Sequence, residues 1–157
     1  MNNLENYCLK KEFLQYIVHE EYYRFLKTEL CKYTQHGHTN IFKHSRDVAF
    51  NSYKFGRILE KKFNLKLDFE SLVYAGYMHD FFMYDWHEKS NWHRLHGFTH
   101  PLVAAQNTEK YFNVSNKTLK LIKSHMWPLT ITRIPTSREA WILSICDKLV
   151  TIYEVFN

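Results

Sequence analysis

Apolar residues recur at steps of three and four along most of the chain, which is the spacing of amphipathic helices. The pattern predicts helical segments over about residues 10–33, 41–63, 68–83, 99–112 and 115–125, and a last helix that begins at about residue 136. Asp68 and Ser115 are suitable N-cap residues, and Thr136 with Glu139 has the spacing of a capping box. Small residues at Ala75 and Gly76 allow a neighbouring helix to approach the third segment closely.

Helix breakers are scarce, since the 157 residues include 4 glycines and 3 prolines, while 45 % of the residues are hydrophobic. This composition predicts an all-α fold, a compact bundle of about five to seven helices. The length predicts one domain over residues 1–157, with an N-terminal helix within residues 1–35 packed on the core.

Charge and cysteine usage limit which ligands and which cellular compartment are expected. The net charge of +5 is spread along the chain and suits a small anionic ligand, and no basic block with interleaved aromatics predicts a nucleic-acid polymer. The sequence has no signal peptide pattern and no apolar stretch near the ~20 residues of a membrane span. Three cysteines without metal-ligand spacing predict reduced thiols, and we expect a cytoplasmic protein that is a monomer or a homodimer.

Isolated polar residues interrupt the apolar stripes of the predicted helices. They are His44, His79, Asp80, His100, His125 and Asp147. A single core histidine is as often merely hydrogen-bonded as functional. Asp147 is harder to explain, because an ionised carboxylate in an apolar helix is costly unless a cation compensates it. That cation is either a side chain, Arg46 or Lys148, or a metal, and an ion pair leaves the four inward histidines without a purpose.

Imidazoles and carboxylates together are typical ligands of first-row divalent metals. Six donors exceed the needs of one four-coordinate zinc and predict two divalent transition metals (Fe, Mn, Co, Ni or Zn) bridged by a carboxylate, about 3.5–4 Å apart. Two such cations with two aspartates carry a charge of about +2, which attracts an anion and generates hydroxide at neutral pH. Phosphate-ester hydrolysis needs both properties.

The order His44, His79-Asp80 and Asp147 resembles the signature of the HD superfamily of metal-dependent phosphohydrolases. The resemblance extends from about His36 to Lys148. The segments that begin at His100 and end at His125 resemble those that supply second-metal histidines in two-metal members. The run from Phe81 to Trp86 resembles that of small single-domain bacterial members.

The resemblance implies that His44, His79, Asp80 and Asp147 hold the first metal. Asp80 is then the catalytic bridge to a second metal on His100 and His125. The implied reaction is hydrolysis of a phosphomonoester or phosphodiester, most simply of a nucleotide, by a metal-bridging hydroxide. The Gly-Tyr-Pro motif of cyclic-dinucleotide-degrading relatives is missing, which disfavours that substrate.

Two other functions remain open from the sequence. Some two-metal HD proteins resemble oxygenases with a mixed-valent di-iron pair, and ligand type alone does not choose the metal. The third possibility is a non-catalytic module that binds a nucleotide or a protein.

Several residues near the predicted ligands have open roles. His96 competes with His100 for the metal, although His100 fits the family spacing better. The candidates for substrate contact are His36, Arg46, Trp127 and Lys148. The alternatives for these four residues are that they are solvated turn residues, belong to structural ion pairs or form a hydrophobic plug.

Overall fold

The computed structural model describes residues 3–16, 19–36, 38–88 and 95–156, and only the backbone of residues 3–5 and 36. These residues form seven helices and one two-stranded hairpin, so the prediction of an all-α fold is confirmed. The helices are α1 Asn3–Leu14, α2 Glu20–Leu30, α3 Ile41–Phe63, α4 Phe69–Met78, α5 His96–Tyr111, α6 Asn116–Ser124 and α7 Arg138–Phe156. The strands are β1 Thr34–His36 and β2 Thr39–Asn40, which pair antiparallel.

Helices α3 and α4 form the centre of the bundle. The side chain of Asn40 caps α3 by accepting the Lys43 N–H at 2.8 Å, and Asn64 ends it in the left-handed conformation at φ 50°. Asp68 caps α4 as expected, because its carboxylate accepts the Ser71 N–H at 3.0 Å. Gly76 of α4 lies directly against Ala49 of α3, where an added Cβ would meet Ala49 Cα at 2.5 Å. The close approach predicted at this glycine is therefore present.

The remaining helices surround this pair. Helix α7 packs on α3, α6 packs on α4, α5 and α7, and α1 and α2 pack on α3. The core between them is rich in aromatic side chains, and the largest fully buried ones are Tyr53, Tyr77, Phe81 and Phe82. None of the helices in the described part of the chain is long and apolar enough to cross a membrane.

The prediction of one helix over residues 10–33 is wrong. Helix α1 ends at Leu14, and His19 has a non-helical ψ of 141° before α2 begins at Glu20. The rings of Phe13 and Tyr23 both pack on Tyr77, with centroids 6.2 and 6.1 Å away. Ten residues of continuous helix would separate the two rings by about 15 Å along the axis. The chain therefore turns so that both reach the same core residue.

Three predicted helix ends also differ. Helix α4 ends at Met78 rather than near residue 83, and α5 begins at His96, so Pro101 lies inside it. Ser137 rather than Thr136 caps α7, since its hydroxyl accepts the Ala140 N–H at 3.2 Å. Glu139 therefore takes no part in a capping box. Its carboxylate instead accepts the Asp68 N–H, at 2.9 Å, and so connects α7 to the start of α4.

Candidate metal centre

The fold brings all six of the inward polar residues to one buried place. His44 is the fourth residue of α3, and Asp147 lies in the middle of α7. His79 and His125 are the C-cap residues of α4 and α6, with the same backbone angles of φ −62° and ψ −29°. Asp80 follows His79, and His100 belongs to α5. None of the six is more than 6 % exposed.

Asp80 is the centre of the cluster, and its two oxygens face different histidines. Oδ1 lies 3.2 Å from His100 Nε2 and 3.6 Å from His125 Nε2. Oδ2 lies 3.4 Å from His79 Nε2 and 3.7 Å from His44 Nε2. The carboxylate thus stands between two pairs of histidines, which is the arrangement that a bridging ligand requires.

Asp147 lies close to one of these pairs, His44 and His79. Its Oδ1 lies 3.3 Å from His44 Nε2 and 3.5 Å from His79 Nε2. Ligand atoms of His44, His79 and Asp147 all lie within 4.8 Å of one another, and so do those of His79, Asp80 and His125. Two adjoining groups of three donors therefore share His79.

Three of the histidines donate a hydrogen bond from the ring nitrogen that faces away from the cluster. Nδ1 of His79, His100 and His125 donates to the backbone carbonyls of Gly76, His96 and Ile122, at 2.9, 2.9 and 2.7 Å. A carbonyl can only accept, so Nε2 presents a lone pair to the cluster when the ring is neutral, as it is when it binds a metal.

These lone pairs point at one another and at carboxylate oxygens. Within the described residues, His79 Nε2 and Asp80 Oδ1 are buried without a hydrogen-bond partner. Buried polar atoms are rarely left so. A cation between the donors would satisfy them, so the residues present fit a metal.

The charges of the cluster are consistent with a bound cation. Burial disfavours ionised aspartate, but the adjacent histidines outweigh it and hold the pKa values of Asp80 and Asp147 well below the usual range. Burial likewise opposes a charged His44, but the Asp147 and Glu154 carboxylates outweigh it and raise its pKa to about 9. The carboxylates therefore demand positive charge, which metal ions can supply in place of protons.

His125, on the other side of Asp80, is neutral. Burial, together with the neighbouring His79 and His100, lowers the pKa of His125 to about 3. A neutral imidazole is the form of histidine that binds metals.

Two supporting residues were missed in the sequence. The amide nitrogen of Gln35 in β1 donates to Asp80 Oδ2, and Glu154 Oε2 lies 2.8 Å from His44 Nδ1. Glu154 follows Asp147 by seven residues, two helical turns, so an acid on the same apolar face was a usable signal. Gln35 gave none, because it lies in a polar stretch between the predicted helices over residues 10–33 and 41–63.

The proposed substrate contacts are only partly near the cluster. Lys148 Nζ donates to the carbonyl of His125 at 2.9 Å and to that of Ser144 at 3.1 Å, so it supports the His125 turn. The Trp127 ring packs edge-on against Trp141, with centroids 4.7 Å apart.

The other two candidates have no shown contact with the cluster. Arg46 lies two residues after His44, turned away on α3, and its guanidinium pairs with Asp47 at 2.9 Å. The side chain of His36 lies outside the described residues. Substrate contact by any of the four stays a prediction.

His96 stands behind His100 rather than among the donors. Its Nδ1 lies 2.9 Å from the Tyr84 hydroxyl, and its ring stacks on Trp86 at 5.2 Å and on His100 at 4.6 Å. His96 also accepts the His100 Nδ1–H through its carbonyl. The choice of His100 over His96 agrees with this geometry.

No curated protein and no solved structure matches the chain. A family model described as the HD domain matches residues 41–152, which include all six donors. The chain therefore belongs to the HD domain family.

Proposed function

We propose that this chain is a metal-dependent phosphohydrolase that cleaves a phosphomonoester or phosphodiester of a nucleotide. The observation that supports the proposal most is the position of Asp80, with one carboxylate oxygen toward His100 and His125 and the other toward His44 and His79. This carboxylate is suited to join two metal ions. His44, His79, Asp80 and Asp147 would hold the first ion, and Asp80, His100 and His125 the second.

Bound divalent metals would lower the pKa of a water molecule and neutralise charge on phosphoryl oxygens. The protein's own contribution is positional. The Nδ1 hydrogen bonds of His79, His100 and His125 fix each ring so that Nε2 points inward. The donors are already oriented before a metal binds, so little reorganisation is needed.

An anionic substrate follows from the charge of the loaded site. Two divalent cations with two aspartates and four neutral histidines leave about +2 in a buried place, which attracts an anion. Lys148, whose side chain is 38 % exposed beside Asp147, adds a cation at the edge. The nucleotide part of the proposal comes from the family resemblance and from the partly exposed ring of Trp127, two residues after His125.

The deciding experiment uses Asp80→Ala in the full chain. We expect the wild-type protein, loaded with Mn²⁺, Co²⁺, Ni²⁺, Zn²⁺ or Fe²⁺, to cleave members of a panel of aryl phosphates, nucleotides and phosphodiesters. Asp80→Ala should lose turnover by at least about a thousandfold, because both metals lose a shared ligand, while its circular dichroism stays helical. The exposed Glu109→Gln in α5 is the matched control.

Two results would contradict the proposal. If Asp80→Ala cleaved substrate at the wild-type rate, the Asp80 carboxylate would have no part in the reaction. Metal binding without turnover, accompanied by a mixed-valent electron-paramagnetic signal in the iron-loaded protein, would instead support the di-iron oxygenase alternative.

A further inference from the structure

Glu154 is a buried carboxylate that lies beyond the segment matched by the family model, which ends at residue 152. It belongs to the last turns of α7 and is 7 % exposed. Its Oε2 lies 2.8 Å from Nδ1 of His44, a residue 110 positions earlier in the chain. Neither its sequence context nor the family match assigns it a role.

His44 differs from the other three histidines in its outer partner. Nδ1 of His79, His100 and His125 donates to neutral backbone carbonyls, whereas His44 alone faces a carboxylate. A carboxylate on the outer nitrogen fixes the tautomer, and it makes the inner nitrogen more basic and hence a stronger metal donor.

Stability alone gives no reason for Glu154. Burying a carboxylate costs free energy that a hydrophobic residue of similar size would not cost. The second oxygen, Oε1, has no hydrogen-bond partner in the described part of the chain, so the burial is incompletely compensated. Such a residue in an otherwise apolar stretch of α7 is consistent with a functional demand.

We propose that Glu154 is a positioning residue for His44, which holds the imidazole with Nδ1 protonated and Nε2 toward Asp147. By this contact it sets the affinity of the first metal position and leaves that of His100 and His125 unchanged. The inference rests on the proposed metal site but not on the proposed reaction.

The neighbourhood of Glu154 allows a clean test. The residue lines an open groove of about 500 Å³ between α3 and α7, beside Phe55, Leu149 and Val150. Water can enter from this groove when the side chain is shortened, so Glu154→Ala leaves no sealed cavity and should fold. Glu154→Gln keeps the shape and one acceptor but removes the charge.

The matched control is Glu139→Gln. Glu139 is a second buried acid of α7, 5 % exposed, and its partners are the Asp68 N–H and Lys117 rather than a histidine of the cluster. It should lose stability without any change in metal affinity, which separates the loss of a buried carboxylate from the loss of the contact with His44.

The experiment titrates wild type and the three variants with Zn²⁺ against a competing chelator and fits two sites. We expect the Zn²⁺ affinity of the first site, which includes His44, to weaken about 10–100-fold in Glu154→Ala and by less in Glu154→Gln. The affinity of the second site should not change. Long-range proton–nitrogen NMR of the zinc-loaded protein should show His44 protonated on Nδ1 in wild type and an altered Nδ1 signal in Glu154→Ala.

The outcomes separate the two proposals. Equal first-site affinity in wild type and both Glu154 variants, or equal loss at both sites, would overturn the role of Glu154 and leave the phosphohydrolase proposal standing. Selective loss at the first site in a protein that cleaves no phosphoester would support the role of Glu154 while the proposed reaction fails.

Discussion

His100 and His125 face each other with their Nε2 atoms 3.0 Å apart. Both rings donate from Nδ1 to a backbone carbonyl, so with both rings neutral two lone pairs meet unless a cation lies between or beside them. Burial and the nearby histidines lower the pKa of His125 to about 3, so that this ring stays neutral near pH 7. A metal ion bound by both Nε2 atoms would satisfy this pair.

Replacement of His125 should therefore remove one metal and leave the other. We expect His125→Ala to hold about one metal per chain where wild type holds about two, because His44, His79, Asp80 and Asp147 remain. Elemental analysis after dialysis measures the ratio. The exposed His87→Ala should keep the wild-type count. An unchanged count in His125→Ala would show that this histidine is no ligand.

Gln35 should orient Asp80 before metal binds. Its amide donates to Asp80 Oδ2, and a hydrogen bond to a charged group contributes about 1.5–3 kcal/mol. Gln35→Ala should lower the free energy of unfolding of the metal-free protein by about that amount. Urea denaturation measures it.

A second substitution at the same place tests the link to metal. Gln35→Glu puts another carboxylate beside Asp80, and like charges repel at this distance. We expect the metal-free variant to be less stable than Gln35→Ala but to gain more in melting temperature when Zn²⁺ is added. An equal gain in melting temperature in both variants would show that residue 35 has no influence on metal binding.

Gly76 should be required for the contact between α3 and α4. An alanine Cβ would lie 2.5 Å from Ala49 Cα, so one helix must move. We expect Gly76→Ala to lower the free energy of unfolding by about 1–3 kcal/mol and to weaken metal binding, because His79 moves with α4.

The control for this prediction is Gly97→Ala in α5. The added Cβ there meets only the end of the flexible Leu129 side chain, at 3.0 Å. Its effect should be neutral or slightly stabilising, since alanine favours helix over glycine. If Gly97→Ala proved as harmful as Gly76→Ala, backbone freedom rather than helix contact would explain both.

Acid sensitivity should arise partly from the junction of α4, α6 and α7. Burial opposes ionised Glu139, but the Asp68 N–H and Lys117 outweigh it and hold its pKa below the ordinary 4.5. A lowered folded-state pKa stabilises the protein above the unfolded-state value, and this contribution is lost as the pH falls through the folded-state value. Glu139→Gln should therefore be less stable than wild type at pH 7.

The same substitution should flatten the pH dependence below about pH 4.5, where unfolded Glu139 becomes protonated. The measurement is the free energy of unfolding from urea titrations between pH 7 and the acid limit of folding, for wild type and variant side by side. A difference between the two proteins that stays constant with pH would contradict the assigned charge.

The pattern of residues was sufficient to identify the helices of the centre and the six inward polar residues. The bounds of α3 and the caps of α4 and α6, by Asp68 and Ser115, follow from local rules, because caps and periodicity depend on neighbours in the chain. The donors were recognisable because each interrupts an apolar stripe, where a polar side chain needs a reason.

Tertiary structure alone decided how these donors meet. Periodicity assigns a residue to a face of its helix but gives no distances between helices, so the central position of Asp80 between two histidine pairs was not deducible. The turn between α1 and α2 arises because two distant rings pack on Tyr77. The contact of Glu154 with His44 spans 110 residues, and only the packing of α7 against α3 creates it.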